Sequence, residues 1–87
     1  SSLYYKKEVE LMKEKTLNEL NLEEIGIIDK IIGEEGIKRR LMDLGLIKGT
    51  NVKPVLISPS GDPRAFEFRG CLIAIRKEDG DNIKLKN

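Results

Sequence analysis

GEEGIKRRLMDLGLIKG, Gly33 to Gly49, carries the clearest local signal in this chain of 87 residues. Glu34 and Glu35 stand where the positive end of a helix favours carboxylates. Ile37, Leu41 and Leu44 then recur at i, i+4 and i+7, with Lys38, Arg39, Arg40 and Asp43 between them. One stripe is apolar and the remainder polar, which predicts a short amphipathic helix. Its end is equally legible. Gly45 suits the left-handed C′ position and Leu46 the C″ position, whose side chain folds back toward C3, here Leu41, in a Schellman ending. Gly49 after Lys48 supplies a second turn.

Downstream, NVKPVLIS, Asn51 to Ser58, begins an extended run, and Pro54 cannot donate to a ladder, so the strand is expected at an edge or with a bulge there. SPSGDPR, Ser58 to Arg64, is a turn cluster expected to be an exposed loop. In AFEFRG, Ala65 to Gly70, Phe66 and Phe68 alternate with Glu67 and Arg69, the pattern of a half-buried antiparallel strand. Gly70 with Cys71 is expected to close a tight hairpin into the apolar run Leu72 to Ile75. Arg76 to Asn82 reads as a polar helical turn or loop, and Ile83 and Leu85 anchor a last strand.

Upstream, TLNELNL, Thr16 to Leu22, reads as a short strand or turn. EEIGIIDKII, Glu23 to Ile32, reads as a strand buried largely on both sides, with Ile25, Ile27 and Ile31 on one face and Ile28 and Ile32 on the other. Gly26 marks a bend or a close backbone approach. SSLYYKKEVELMKEK, residues 1–15, has a weak helical stripe at Tyr5, Val9 and Met12 and reads as a leader or a frayed N-terminal helix. The expected fold is mostly β: a small curled barrel of about five strands over residues 16–87, with one short helix between strands 2 and 3.

Composition narrows the chemistry. Sixteen Lys and Arg stand against fifteen Asp and Glu, a net charge of +1, which gives little of the drive by which basic proteins bind nucleic acid. No apolar run approaches the roughly 20 residues a spanning helix needs, so direct membrane insertion is not expected and a cytosolic location is. The chain has no histidine and one cysteine, Cys71, which excludes Cys-His and Ser-His-Asp catalysis, thiolate and imidazole metal cages and an internal disulfide framework. Cys71 is read as a buried small apolar residue. Asp79 and Asp81 in EDGDN alternate as calcium-loop ligands do, but Ile83 and Lys84 occupy the following required positions, so a solvated turn is the better reading. GLIKGT, Gly45 to Thr50, falls short of a phosphate-binding loop in spacing and in the place of its lysine.

The remaining candidates are contact residues for a protein partner. They are Arg39 and Arg40 on the polar side of the helix, Arg64 beside the proline loop, and Glu67 and Arg69 on the outward face of their strand. Loops and faces of a rigid barrel are the expected place for such contacts.

The stretch from Gly36 to Asn87, with its RRLMDLGLIKGT helix, P-x-G-D-P loop and LIAIRKEDGDNI segment, resembles the FeoA family of small cytosolic proteins linked to bacterial ferrous iron uptake. TLNELNLEEIGIIDKI extends the resemblance to Thr16. It implies an SH3-like barrel, a non-enzymatic role, and a partner, the ferrous iron transporter FeoB with its cytosolic GTPase domain, which would hold the chain at the inner face of the membrane. Self-association stays open. The alternative is a metal-binding or peptide-binding regulatory barrel related to the C-terminal domain of iron-dependent DtxR-type repressors. Few aromatics are present to stack on prolines. Without histidine, carboxylates, carbonyls and water leave at most weak binding of iron(II) or another divalent ion, so no cofactor is expected.

Overall fold

The computed structural model describes residues 15–86; the leader or frayed helix expected over residues 1–15 lies outside the described residues except for Lys15. A single 3-10 turn, Leu17–Glu19, leads into β1 (Gly26–Ile31), α1 (Glu35–Asp43), β2 (Asn51–Ile57), β3 (Arg64–Phe68), β4 (Cys71–Ile75), α2 (Lys77–Gly80) and β5 (Ile83–Leu85). The five strands form one antiparallel sheet in the order β4-β3-β2-β1-β5. Thr16 bridges to Lys84 and so ties the start of the described chain to its last strand. Because the first extended segment of the sequence is this 3-10 turn, the helix follows β1 directly.

The sheet closes on a core in which Leu17, Ile28, Leu46, Phe66 and Ile83 are wholly buried and Leu41 nearly so. Gly26 permits the closure: a side chain there would meet the methyls of Leu85 at 2.9 Å and Leu20 at 3.0 Å, so the expected close approach is present. The helix ends as its sequence implies. Gly45 takes φ 102°, its N–H donates to the Met42 carbonyl at 2.9 Å, and the Leu46 N–H donates to the Leu41 carbonyl at 3.2 Å. Both hydrogen bonds of a Schellman ending are made. Leu46 rather than Leu44 fills the space beneath, and Leu44 is exposed.

Three expectations are corrected. β1 is not buried on both sides: Ile28 faces the core, while Ile25, Ile27 and Ile32 are exposed. A one-layer sheet curled round a single core has an outer face that no second layer covers, and an apolar run cannot show which side that is. Cys71 is exposed rather than buried, because it stands at the corner of the β3–β4 hairpin beyond the edge of the core. That hairpin turns one residue earlier than read, at Arg69 and Gly70, both at positive φ, with Phe68 opposite Cys71. Pro54 lies in an interior strand with the register shift that its missing N–H calls for, between Pro54 and Leu56, and its carbonyl accepts the Glu23 N–H at 2.8 Å.

Candidate docking surface

The alternation in β3 sets the outer face of the barrel. Phe66 and Phe68 are in the core, so Ala65 and Glu67 point outward. Lys53 pairs with Glu67 and Glu67 with Leu72; Leu56 pairs with Ala65 and Ala65 with Ala74. The irregularity after Pro54 is what lets Lys53 and Leu56, three residues apart, share one face. Ile25 joins this surface, lining with Asn51, Lys53, Glu67 and Arg69 a shallow pocket of about 200 Å³. Ile25, Leu56 and Leu72, at 64%, 60% and 59%, are the three most exposed large aliphatic residues described, and all lie here.

The charged groups around that surface are held loosely. Lys53 Nζ lies 3.4 Å from Glu23 Oε2, and Arg69 Nη2 donates to Thr50 Oγ1 at 3.5 Å. Contacts this long are weak, so the side chains can reorient toward a partner at small cost. Glu24 is held more firmly. Its carboxyl sits below the ordinary value of 4.5 because it accepts the Asn21 N–H at 2.9 Å and, secondarily, the Lys15 ammonium at 3.1 Å.

Of the five residues expected from the sequence, Glu67 and Arg69 come together in this pocket. Arg39 is exposed on α1 beside Glu35 and Gly36. Arg40 reaches Asp79 Oδ1 at 2.8 Å and so clamps α1 to α2. Arg64 is only partly exposed and works inside the chain. Its guanidinium donates to the Asn18 carbonyl at 3.0 Å and the Leu20 carbonyl at 2.6 Å, and lies 5.5 Å from the Phe66 ring centre. Its place beside a proline loop does not turn it toward solvent, because its guanidinium is drawn to the carbonyls of the 3-10 turn and the residue after it. Ile25, Lys53, Leu56 and Leu72 were not singled out from the sequence, because non-local pairing brings them to this face and the irregularity after Pro54 breaks the alternation of β2.

Asp79 and Asp81 do not converge. Asp79 is taken by Arg40, and Asp81 Oδ1 accepts the Asn18 amide at 2.7 Å. Among the described residues no three Cys, Asp or Glu side chains gather as a metal ion requires. Both described phenylalanines are core residues, leaving no aromatic groove for a proline-rich peptide among the described residues. No helix among them is long and apolar enough to cross a membrane.

The sequence matches the FeoA domain over residues 15–87. The chain belongs to the FeoA family. The FeoA-like protein of Clostridium acetobutylicum superposes with a TM-score of 0.78 at 30% identity, over 85% of this chain and 86% of that one. FeoA of Chlorobium tepidum gives 0.75 at 31% identity, over 82% of this chain and 68% of that one. Zinc-complexed FeoA of Stenotrophomonas maltophilia, described as a prokaryotic SH3-domain protein and put forward as a ferrous iron transport activating factor, gives 0.73 at 26% identity, over 83% and 89%. No curated protein sequence matches. The five-stranded fold is therefore the SH3-like barrel of FeoA proteins, a family tied to ferrous iron transport.

Proposed function

We propose that this FeoA-family chain is a non-enzymatic accessory protein of bacterial ferrous iron uptake whose barrel, residues 16–87, docks on the cytosolic GTPase-containing region of the FeoB transporter. The observation that carries the reading is the clustering of Ile25, Leu56 and Leu72 on one sheet face, beside Lys53, Glu67 and Arg69. Large apolar side chains left exposed on one face and interspersed with charge suit contact with another protein. Arg39 is a further contact on the exposed side of α1. Arg64 and Arg40 act through the shape of the barrel, since their guanidinium groups are engaged within it.

The non-enzymatic part of this reading is supported by composition and by the described surface. The outer face is shallow, and the chain supplies no histidine beside its exposed thiol. The activating role put forward for the Stenotrophomonas protein supports the same direction. The test is to mix the purified chain with the transporter's GTPase region and with the full transporter in detergent, and to measure complex formation by size exclusion. A complex is expected with at least one of them. Absence of both complexes, in a system where iron uptake needs this chain, contradicts the reading.

A further inference from the structure

β4 ends the sheet, and among the described residues no strand pairs with its outer edge. The sequence of that edge, CLIAI from Cys71 to Ile75, has neither a charged residue nor a proline, the usual means by which an exposed strand is protected from pairing with another. The hydrogen-bonding phase of the strand follows from its hairpin. In a two-residue hairpin the residues flanking the turn, here Phe68 and Cys71, exchange both backbone hydrogen bonds. Alternation then makes Ile73 and Ile75 bond back to β3, while the N–H and C=O of Leu72 and Ala74 point away from it. Among the described residues no backbone hydrogen bond outside the strand ladders involves any residue of β4.

We infer that β4 pairs antiparallel with β4 of a second copy of this chain, about a two-fold axis passing beside Ile73. This register sets Leu72 opposite Ala74 of the second copy, and Ala74 opposite its Leu72. The outward N–H and C=O groups of both residues are then satisfied by four hydrogen bonds. Neighbouring registers fail on the chain's own geometry. An axis at Leu72 sets Ala74 against Gly70, which sits in the hairpin turn at φ 76° and is not extended. An axis at Ala74 sets Leu72 against Arg76, whose carbonyl already accepts the N–H groups of Asp79 and Gly80.

Side-chain size agrees with the same register. Leu72 and Ala74 both lie on the outer face and both are exposed, so each large side chain falls beside a small one. Ile73 meets its own copy in a pair without backbone hydrogen bonds, where side chains approach most closely. The axis is perpendicular to the sheet, so the outer faces of the two copies become continuous. One strand pair buries less surface than a standard stable interface, so the dimer is a weak one that exchanges with monomer. This inference does not rest on the docking reading above.

Sedimentation of the full chain across a wide concentration series tests it. The parent is expected to shift from monomer to dimer with concentration. Ala74→Pro removes only an N–H directed at the second copy, a position where an edge strand tolerates proline. It is expected to weaken association at least ~10-fold, about 1.4 kcal/mol, with an unchanged far-ultraviolet spectrum. Leu72→Lys, a substitution on an exposed side chain, is expected to do the same by placing charge at the edge. A parent that stays monomeric throughout, including one whose β4 edge proves to accept a strand of some other protein instead, overturns the inference. So does undiminished dimerisation of both folded variants. The register is read by oxidation: Ile73→Cys in a Cys71→Ser background is expected to form a covalent dimer readily. Faster crosslinking of the parent through Cys71 contradicts the register.

Discussion

Arg64 donates through Nη2 to the carbonyl oxygen of Leu20 at 2.6 Å, joining the start of β3 to the segment that follows the 3-10 turn. The companion bond from Nη1 to the Asn18 carbonyl, at 3.0 Å, makes the guanidinium a two-pronged clip between segments more than forty residues apart. The clip is partly buried, so the carbonyls have restricted access to water once it is removed. Hydrogen bonds of this charged kind contribute about 1.5–3 kcal/mol each. Arg64→Ala is therefore expected to lower stability in urea by about 1.5–3 kcal/mol or more. Arg64→Lys should recover only part of the loss, because a single ammonium lacks the planar fork. Full recovery by lysine would mean that charge alone matters there.

The helix offers a paired test of burial. Leu41 is 2% exposed at the centre of the core, whereas Arg39 projects into solvent. Leu41→Ala should cost about 2–5 kcal/mol by removing packed methyl groups and leaving a cavity. Arg39→Ala should fall within about 0.5 kcal/mol of the parent. Chemical denaturation of both variants measures the contrast, and similar losses would contradict the orientation of α1.

Asp79 is mostly buried beneath a largely exposed Arg40, with 2.8 Å between them. Exposed and half-exposed ion pairs contribute about 0.2–1 kcal/mol, and salt weakens them. A double-mutant cycle of Arg40→Ala and Asp79→Asn should return a coupling in that range, smaller in high salt. A coupling that is absent at low salt would show that the two helical segments are held by packing alone.

Glu24 supplies the pH dependence. Its carboxyl is lowered from 4.5, chiefly by the Asn21 N–H and then by Lys15, so the folded state favours the ionised form. Stabilisation from this group is complete above the unfolded value near 4.5 and is lost as pH falls through the lowered folded value. Glu24→Gln should therefore be less stable than the parent at neutral pH, and the gap should close on acidification below pH 4.5. Parallel thermal melts from pH 3 to pH 7 read this directly; a constant gap would contradict it.

The elements with local causes were legible from sequence. The Gly45-Leu46 ending follows from backbone geometry that only a few residues allow, and the Phe66-Glu67-Phe68 alternation is a strand with one wet side. What escaped reading depends on contacts distant in sequence. Ile25 and Ile27 have the same side chain as Ile28, and only the curl of the sheet decides that one is buried and the others are not. Cys71 looked interior because its apolar neighbours did, although the hairpin corner carries it past the core. Arg64 became an internal clip through acceptors on a segment whose position no local pattern encodes. The outer face was half visible: Glu67 and Arg69 were read as outward-facing, but the apolar residues beside them, Ile25, Leu56 and Leu72, come from three separate segments.

The most direct test of the docking account is a calorimetric titration of the chain into the isolated cytosolic region of the transporter. The parent should bind, and Ile25→Asp and Glu67→Arg, both on exposed side chains, should each weaken binding at least ~10-fold, about 1.4 kcal/mol, without lowering the melting temperature. A parent that releases no heat and forms no complex, or two folded variants that bind as tightly as the parent, would contradict it.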